Sequence, residues 1–284
     1  MSATNILLTG LAFGESPRWH NDRLYLSDMG THEVTAVSLD GDTELIAKIG
    51  GMPMGSGWLP EPDGRMLIVS SRDGLLLRRE PDGSLVTHTE LASLDRHPWS
   101  DMVVDGRGNA YVGNIGFDFP GGEPTTGILA LIKADKTVQQ VADGLMFPNG
   151  VAVTPDNRTL IIAESYGARL TAFDIAADGS LSGRRVWADL GDAAPDGICV
   201  DWEGAVWYAD VPNKRCVRVR EGGKVLQTIN VDRGCFACVL GGADGQTLFI
   251  TAAEFAGPAS MAPGAPRTGQ VLTAPAPAPG AGWP

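Results

Sequence analysis

Glu15, Asn149 and Asp196 are two carboxylates and a carboxamide, each at the start of a short apolar strand. Converging on one point, they make an oxygen-rich set suited to a hard divalent cation such as Ca2+, Mg2+ or Mn2+. Burying either carboxylate unpaired is costly enough that it takes up a proton or finds a cation, and two converging carboxylates also repel each other. One ion answers both problems. The same position in three further units reads Ser56, Ser100 and Ala237, so five of the six positions carry side-chain oxygen. A second level, at the end of the following strand, reads Asp28, Ser70, Asn114, Glu164, Asp210 and Ala252. There Asp and Asn are expected to close strands by bonding turn amides.

These positions come from an internal repeat. NGVAVTPDNRTLIIAES from Asn149 and DGICVDWEGAVWYAD from Asp196 both read as apolar strand, acidic turn and second apolar strand, which is a hairpin pattern. Aligning on the turn recovers ESPRWHNDRLYLSD from Glu15, SGWLPEPDGRMLIVSS from Ser56, SDMVVDGRGNAYVGN from Ser100 and ACVLGGADGQTLFITAA from Ala237. Alternating stretches such as EVTAVSLDG and RLTAFDIAADG follow, so each unit supplies about four strands, as a propeller requires. No sustained helical apolar period competes. The expected fold is all-β, a single six-bladed β-propeller over 1–284 with a central metal site. Its approximate blades are 14–50, 51–93, 94–140, 141–190, 191–230 and 231–274. Asn5–Leu8 and Gly269–Thr273 are both expected to add strands to the last blade, closing the ring and removing sheet edges. Residues 275–284, Pro- and Ala-rich, read as a tail with an extended or mobile far end.

With 37 Gly and 19 Pro, much of the chain is turn. A formal net charge of −12 argues against nucleic acid as partner, because phosphate binding needs Lys and Arg clusters. The first residues show neither a basic segment nor a long apolar run, and no stretch approaches a membrane span, so a cytoplasmic protein without membrane association is expected. A monomer or weak homodimer fits a closed acidic ring. Of the four cysteines, Cys199, Cys216, Cys235 and Cys238, the last two match a CxxC spelling, but neither a second ligand pair for zinc nor a βαβ context for redox chemistry accompanies it, and all four read as buried thiols. GxSxG is absent, and Gly55-Ser56-Gly57 lacks a nucleophile-elbow context.

GESPRW, FPNGVAVTPDNRTL and APDGICVDWEGAVWYAD resemble the three metal-bearing motifs of the senescence marker protein (regucalcin), gluconolactonase and luciferin-regenerating enzyme family. The likeness runs from about Gly14 to Thr273. It implies a six-bladed propeller and one divalent cation held by Glu15, Asn149 and Asp196, with Ca2+ the leading expectation and Zn2+, Mn2+ or Fe2+ the alternatives. It also implies hydrolysis of a sugar-acid lactone, with Asp196 activating water. The third blade departs from the family pattern. Sugar-lactonase members carry Arg-x-Asn-Asp there, and this chain has Pro98-Trp99-Ser100-Asp101. A site that loses polar partners for sugar hydroxyls loses that selectivity.

The reading that follows is a metal-dependent lactonase acting on a small molecule, a lactone less polar than a sugar-acid lactone. Asp196, Asp101 and Ser100 are its catalytic candidates. Trp99, Ser100, Asp101, His97, Phe117 and Glu123 are its substrate-binding candidates, Glu123 as part of a loop over the site. Met54, Trp58, Trp99, Phe117, Phe119, Met146 and Phe147 are candidates to roof the channel. Two alternatives stand beside this reading: a phosphotriesterase-like hydrolase and a non-catalytic metal-binding propeller.

Overall fold

The computed structural model describes residues 4–261 and 264–283. Alternation of apolar and polar residues with frequent Gly-containing turns leaves the chain only short antiparallel strands to form. Before the first blade runs β1 (Asn5–Leu11). Blade 1 is β2 (Gly14–His20), β3 (Arg23–Asp28), β4 (Glu33–Val37) and β5 (Thr43–Lys48). Blade 2 is β6 (Pro53–Trp58), β7 (Met66–Ser70), β8 (Leu75–Arg79) and β9 (Leu85–Glu90). Blade 3 is β10 (Trp99–Val104), β11 (Ala110–Asn114), β12 (Gly127–Ile132) and β13 (Val138–Leu145). Blade 4 is β14 (Pro148–Val153), β15 (Thr159–Glu164), β16 (Arg169–Ile175) and β17 (Leu181–Asp189). Blade 5 is β18 (Pro195–Asp201), β19 (Val206–Asp210), β20 (Arg215–Val219) and β21 (Val225–Asn230). Blade 6 is β22 (Gly234–Gly241), β23 (Thr247–Ala253) and β24 (Gly269–Pro275), completed by β1 on its outer edge.

The six sheets form an all-β, six-bladed propeller whose first strands contact one another in the closed order β2, β6, β10, β14, β18, β22. Pairing of β1 with β24 ties the N-terminal segment to the last blade and leaves no gap in the ring. β13 reaches Leu145, so the third blade extends past residue 140, where the repeat spacing had placed its end. The tail is extended and paired. Its strand β25 (Gly280–Ala281) lies beside β18, with Ala281 opposite Val200, and Trp283 bridges to Val153. Ala276 and Ala278 are buried beneath it. Pro284, the last residue of that segment, lies outside the described residues. Among the described residues no helix is long and apolar enough to cross a membrane. All four cysteines are buried free thiols in one apolar cluster between blades 5 and 6.

Every inner strand carries a β-bulge near its start, as between Pro148 and Val151 in β14 and between Pro195 and Ile198 in β18. A bulge sets an extra residue against the partner strand and re-aims the side chains around it. Just past the ring residues, the blades approach so closely that side chains are excluded. A Cβ on Gly150 would lie 2.5 Å from the Asp196 carbonyl oxygen, and one on Gly197 would lie 2.3 Å from the Ala237 Cβ. That close approach is the physical reason for glycine in the PNG and PDG motifs.

Candidate metal centre and substrate cavity

Counting back from the end of each second strand defines the ring. Gly14 pairs with Asp28, Pro53 with Ser70, Trp99 with Asn114, Pro148 with Glu164, Pro195 with Asp210 and Cys235 with Ala252. The residue after each first member is Glu15, Met54, Ser100, Asn149, Asp196 or Phe236. Ser56 and Ala237, read from the sequence as ring members, are therefore displaced: Ser56 sits opposite Ile68 and Ala237 opposite Thr251. The stretches from Met54 to Ser70 and from Phe236 to Ala252 are longer than the matching stretches of the other blades, so a register counted from the turn slips there. Met54 and Phe236 stand at the ring level, on either side of Glu15. The ring is thus polar over Ser100, Asn149, Asp196 and Glu15, and apolar over the other two positions.

Strand-end residues at the second level fix the approach to each ring position. Asp28 accepts the Ala12 and Phe13 N–H groups at 2.9 Å each, just before Glu15. Glu164 accepts Met146 N–H at 2.8 Å ahead of Asn149, and Asp210 accepts Ala194 N–H at 3.2 Å ahead of Asp196. Asn114 donates to the His97 carbonyl at 2.8 Å, ahead of Ser100. Their amide-binding role is the one the sequence pattern suggested.

Glu15, Ser100, Asn149 and Asp196 all line a cavity of about 380 Å3 at one mouth of the channel. The Asn149 amide nitrogen donates to Ser165 Oγ at 3.3 Å, and Ser165 Oγ donates to the Pro195 carbonyl at 2.7 Å. This chain commits the nitrogen and leaves the Asn149 carbonyl oxygen for a cation. Asp196 Oδ1 and Ser100 Oγ are buried without a hydrogen-bond partner. Burial, and then the charge of Asp101, push the Glu15 carboxyl up from its ordinary 4.5 to about 8, against the pull of the Ser16 N–H and Arg18. Burial pushes Asp196 up as well, followed by the charges of Glu15 and Asp101, with the Asn149 amide and Gly197 N–H opposing. Two strained carboxyls, an amide oxygen and an orphaned carboxylate oxygen fit a hard divalent cation. Among the described residues no group of three or more His, Cys, Asp or Glu side chains is placed to hold a metal ion.

Beneath the ring lies a feature the sequence reading passed over. Arg18, quoted in GESPRW but not singled out, is 4% exposed and crosses the channel. Its guanidinium donates to Asp101 Oδ1 at 2.6 Å and to the carbonyls of Ser56, Met102 and Pro17 at 2.8, 2.7 and 2.9 Å. Asp101 Oδ1 also accepts from Ser16 Oγ at 3.0 Å and Met102 N–H at 2.8 Å. Asp101, a catalytic and substrate-binding candidate from the sequence, is thus held under the ring and does not line the cavity.

Other candidates divide clearly. Trp99 is fully buried in the core, its indole N–H donating to the Asp95 carbonyl at 3.3 Å. His97 turns its Nδ1 to Asp95 at 2.7 Å and stays off the cavity wall. Glu123 is an exposed loop residue away from the cavity. Phe117 stands behind the wall, packed on Phe119, Phe147 and Tyr166. Of the expected roof, Met54, Phe119 and Phe147 line the cavity, whereas Met146 does not. Trp58 stands at the far end of β6, stacked on His20 at 4.1 Å. The cavity also has walls that sequence reasoning did not name: Phe13, Tyr166, Phe236 and Phe255. They sit in entry loops and at the misregistered sixth unit, where no periodic signal marks them.

A family model described as the SMP-30/Gluconolactonase/LRE-like region matches residues 13–254. The chain belongs to this family. Among SMP-30/gluconolactonase-like relatives, a pentonolactonase of Haloferax volcanii is 27% identical over 291 aligned positions, covering 96% of this chain and 93% of that protein. Regucalcin of Xenopus laevis is 27% identical over 253 positions, covering 84% of this chain and 83% of its own length. The solved luciferin-regenerating enzyme superposes with a TM-score of 0.85 at 22% identity, covering 99% of this chain and 98% of that one, which shows a shared fold.

The raised carboxyl of Glu15 carries a stability consequence. Between its ordinary value of 4.5 and about 8, the folded metal-free protein keeps a proton that the unfolded chain has released. This contribution is complete below the unfolded value and is lost as pH rises through the folded one. The unfolding temperature of metal-stripped protein is therefore expected to fall between about pH 5 and pH 8. A divalent cation that binds the ionised carboxylates is expected to reverse the trend and to release protons near neutral pH. Thermal unfolding across pH with and without chelator checks this; a flat metal-free profile removes the protonated-carboxyl reading.

Proposed function

We propose that the protein is a metal-dependent lactonase whose substrate is less polar than a sugar-acid lactone. The observation that carries the reading is the orphaned Asp196 carboxylate oxygen, buried beside Glu15 and Asn149 in a cavity whose remaining lining is mostly apolar, with Ser71, Ser100, Ser165 and Lys214 as the further polar groups. Membership of the SMP-30/gluconolactonase family and the likeness to a pentonolactonase support lactone hydrolysis as the reaction class. Glu15, Asn149 and Asp196 hold the cation, Ca2+ by preference, with Zn2+, Mn2+ or Fe2+ as alternatives for an all-oxygen donor set. When bound, it supplies Lewis-acid polarisation of the lactone carbonyl and electrostatic relief of the negative charge that builds there.

The chain's own groups do the rest. Asp196 accepts a proton from the attacking water, which adds to the acyl carbon. The ring C–O bond breaks, and the departing oxygen takes up a proton to give a hydroxy acid. Ser100 Oγ, buried and unpartnered at the ring, orients water or the lactone. Apolar walls exclude bulk solvent and strengthen each electrostatic contact inside. Asp101 acts from below the ring, holding Ser16 and Arg18 in place beside Glu15. A small-molecule lactone is the partner, and a cytoplasmic monomer or weak homodimer is the proposed state.

The test is hydrolysis of sugar-acid and apolar lactones, with phosphotriesters as comparison, by metal-stripped protein given Ca2+, Mn2+, Zn2+ or Fe2+ singly. Turnover of lactones restored by one or more cations is expected. Turnover confined to phosphotriesters, or cation binding with no turnover of any ester, overturns the reading.

A further inference from the structure

We infer that the substrate is an aryl lactone, its aromatic ring held between two opposed aromatic walls above the metal site. Phe236 and Phe147 are the specificity-determining residues in this arrangement. The inference rests on the hydrolase reading for the word lactone and on the cavity for the word aryl.

The two walls come from opposite sides of the propeller. Phe13 precedes β2 in blade 1, and Phe236 and Phe255 belong to blade 6. Phe119 follows β11 in blade 3, Phe147 enters β14 at the seam of blades 3 and 4, and Tyr166 follows β15 in blade 4. With the six inner strands in closed sequential contact, the seam of blades 6 and 1 lies across the channel from the seam of blades 3 and 4. Within the first wall, Phe236 meets Phe13 edge-on at 4.4 Å and Phe255 edge-on at 5.5 Å. Within the second, Phe147 meets Phe119 edge-on at 5.1 Å and Tyr166 at 4.7 Å. All six rings line the cavity.

Outer members of both walls are bare. Tyr166 and Phe255 are 50% and 39% exposed, so among the described residues each wall presents open aromatic surface at the mouth. A flat ring entering there meets faces and edges on both sides, the arrangement that aromatic quadrupoles favour over aliphatic filling. A sugar-acid lactone meets the opposite situation. The cavity's polar lining beyond Glu15, Asn149 and Asp196 is small, with Ser71, Ser100, Ser165 and the exposed Lys214 set among the aromatic and aliphatic groups, and Met54 and Phe236 fill the two ring positions beside Glu15 with apolar side chains. Hydroxyls buried against those surfaces lose their water without replacement. The cavity of about 380 Å3 lies within the range that accommodates a small bicyclic molecule.

Dihydrocoumarin and glucono-δ-lactone are the turnover probes, and the lactam analogue of each serves as a probe that is not hydrolysed. For the metal-loaded protein, kcat/KM for dihydrocoumarin is expected to exceed that for the sugar lactone by about a hundredfold or more. Phe236→Leu and Phe147→Leu keep an apolar group and remove the ring. Each is expected to raise KM for dihydrocoumarin about tenfold with kcat within about threefold, with a fall in unfolding temperature of only a few degrees for the lost ring packing and the propeller still folded. Preferential turnover of glucono-δ-lactone overturns the aryl assignment and leaves the hydrolase reading standing. If no ester is turned over, tighter binding of the aryl lactam than the sugar lactam, weakened by both Leu variants, still supports aryl recognition while the hydrolase reading fails. Equal binding of the two lactams, or Leu variants that change nothing, overturns the inference outright.

Discussion

Asp196→Asn is expected to lower lactone kcat/KM by at least about a thousandfold while leaving the propeller folded. The substitution conserves shape, so bulge geometry and the close approach of Gly197 to Ala237 persist. It removes the one group that the proposed mechanism uses both as cation donor and as proton acceptor. Asp196 Oδ1 is buried without a hydrogen-bond partner, so no protein hydrogen bond to that atom is lost in the variant. Because burial and the charges of Glu15 and Asp101 both oppose ionisation of Asp196, the metal-free Asn variant is expected to be at least as stable as the metal-free parent. Cation addition should then stabilise the variant much less than the parent. Steady-state kinetics with thermal unfolding, each with and without cation, checks both halves. Full activity in the variant removes Asp196 from the mechanism; loss of folding shifts its role to structure.

The same contrast between what a residue contacts and where it sits in the repeat explains what the sequence revealed. Repetition of strand, acidic turn and strand made the propeller legible, because each unit obeys the same local rules and only stacking six of them closes the sheet edges. Glu15, Asn149 and Asp196 were legible for a related reason: polar atoms at a level where neighbouring blades offer apolar groups call for compensation. Met54 and Phe236 were missed at that level because the register was counted from turns, whereas the ladder is fixed at the opposite end, where the bulge lies. Arg18 looked like any strand residue, since its role depends on reaching Asp101 from another blade. The aromatic walls could not be assembled from sequence either, because Phe13, Phe119, Phe147, Tyr166 and Phe255 sit in connections from different blades, without shared spacing. The paired tail shows the same limit, since its anchor is the partner Val200 and not its Pro- and Ala-rich composition.

Arg18→Met tests the floor of the site. The guanidinium is the only cation that bonds Asp101 among the described residues, and it also satisfies three buried carbonyls. Removing it strands a carboxylate beneath Glu15 and Asp196 and takes the guanidinium donors from those carbonyls. Breaking a buried, hydrogen-bonded ion pair in this way typically costs about 3–5 kcal/mol. For a domain of this size that corresponds to a fall in unfolding temperature on the order of ten degrees. The loss should be mostly electrostatic in origin, since Met fills much of the same volume. Pairing Arg18→Met with Asp101→Asn removes the stranded charge and is expected to recover more than half of the lost stability, a coupling that a double-mutant cycle by denaturant unfolding resolves. Cation binding gives an independent reading of the same arrangement. With Asp101 no longer neutralised, the single variant should bind a divalent ion at least as tightly as the parent, despite its lower stability. A single variant as stable as the parent, or a double variant no better than the single, refutes the view that Arg18 neutralises Asp101 beneath Glu15 and Asp196.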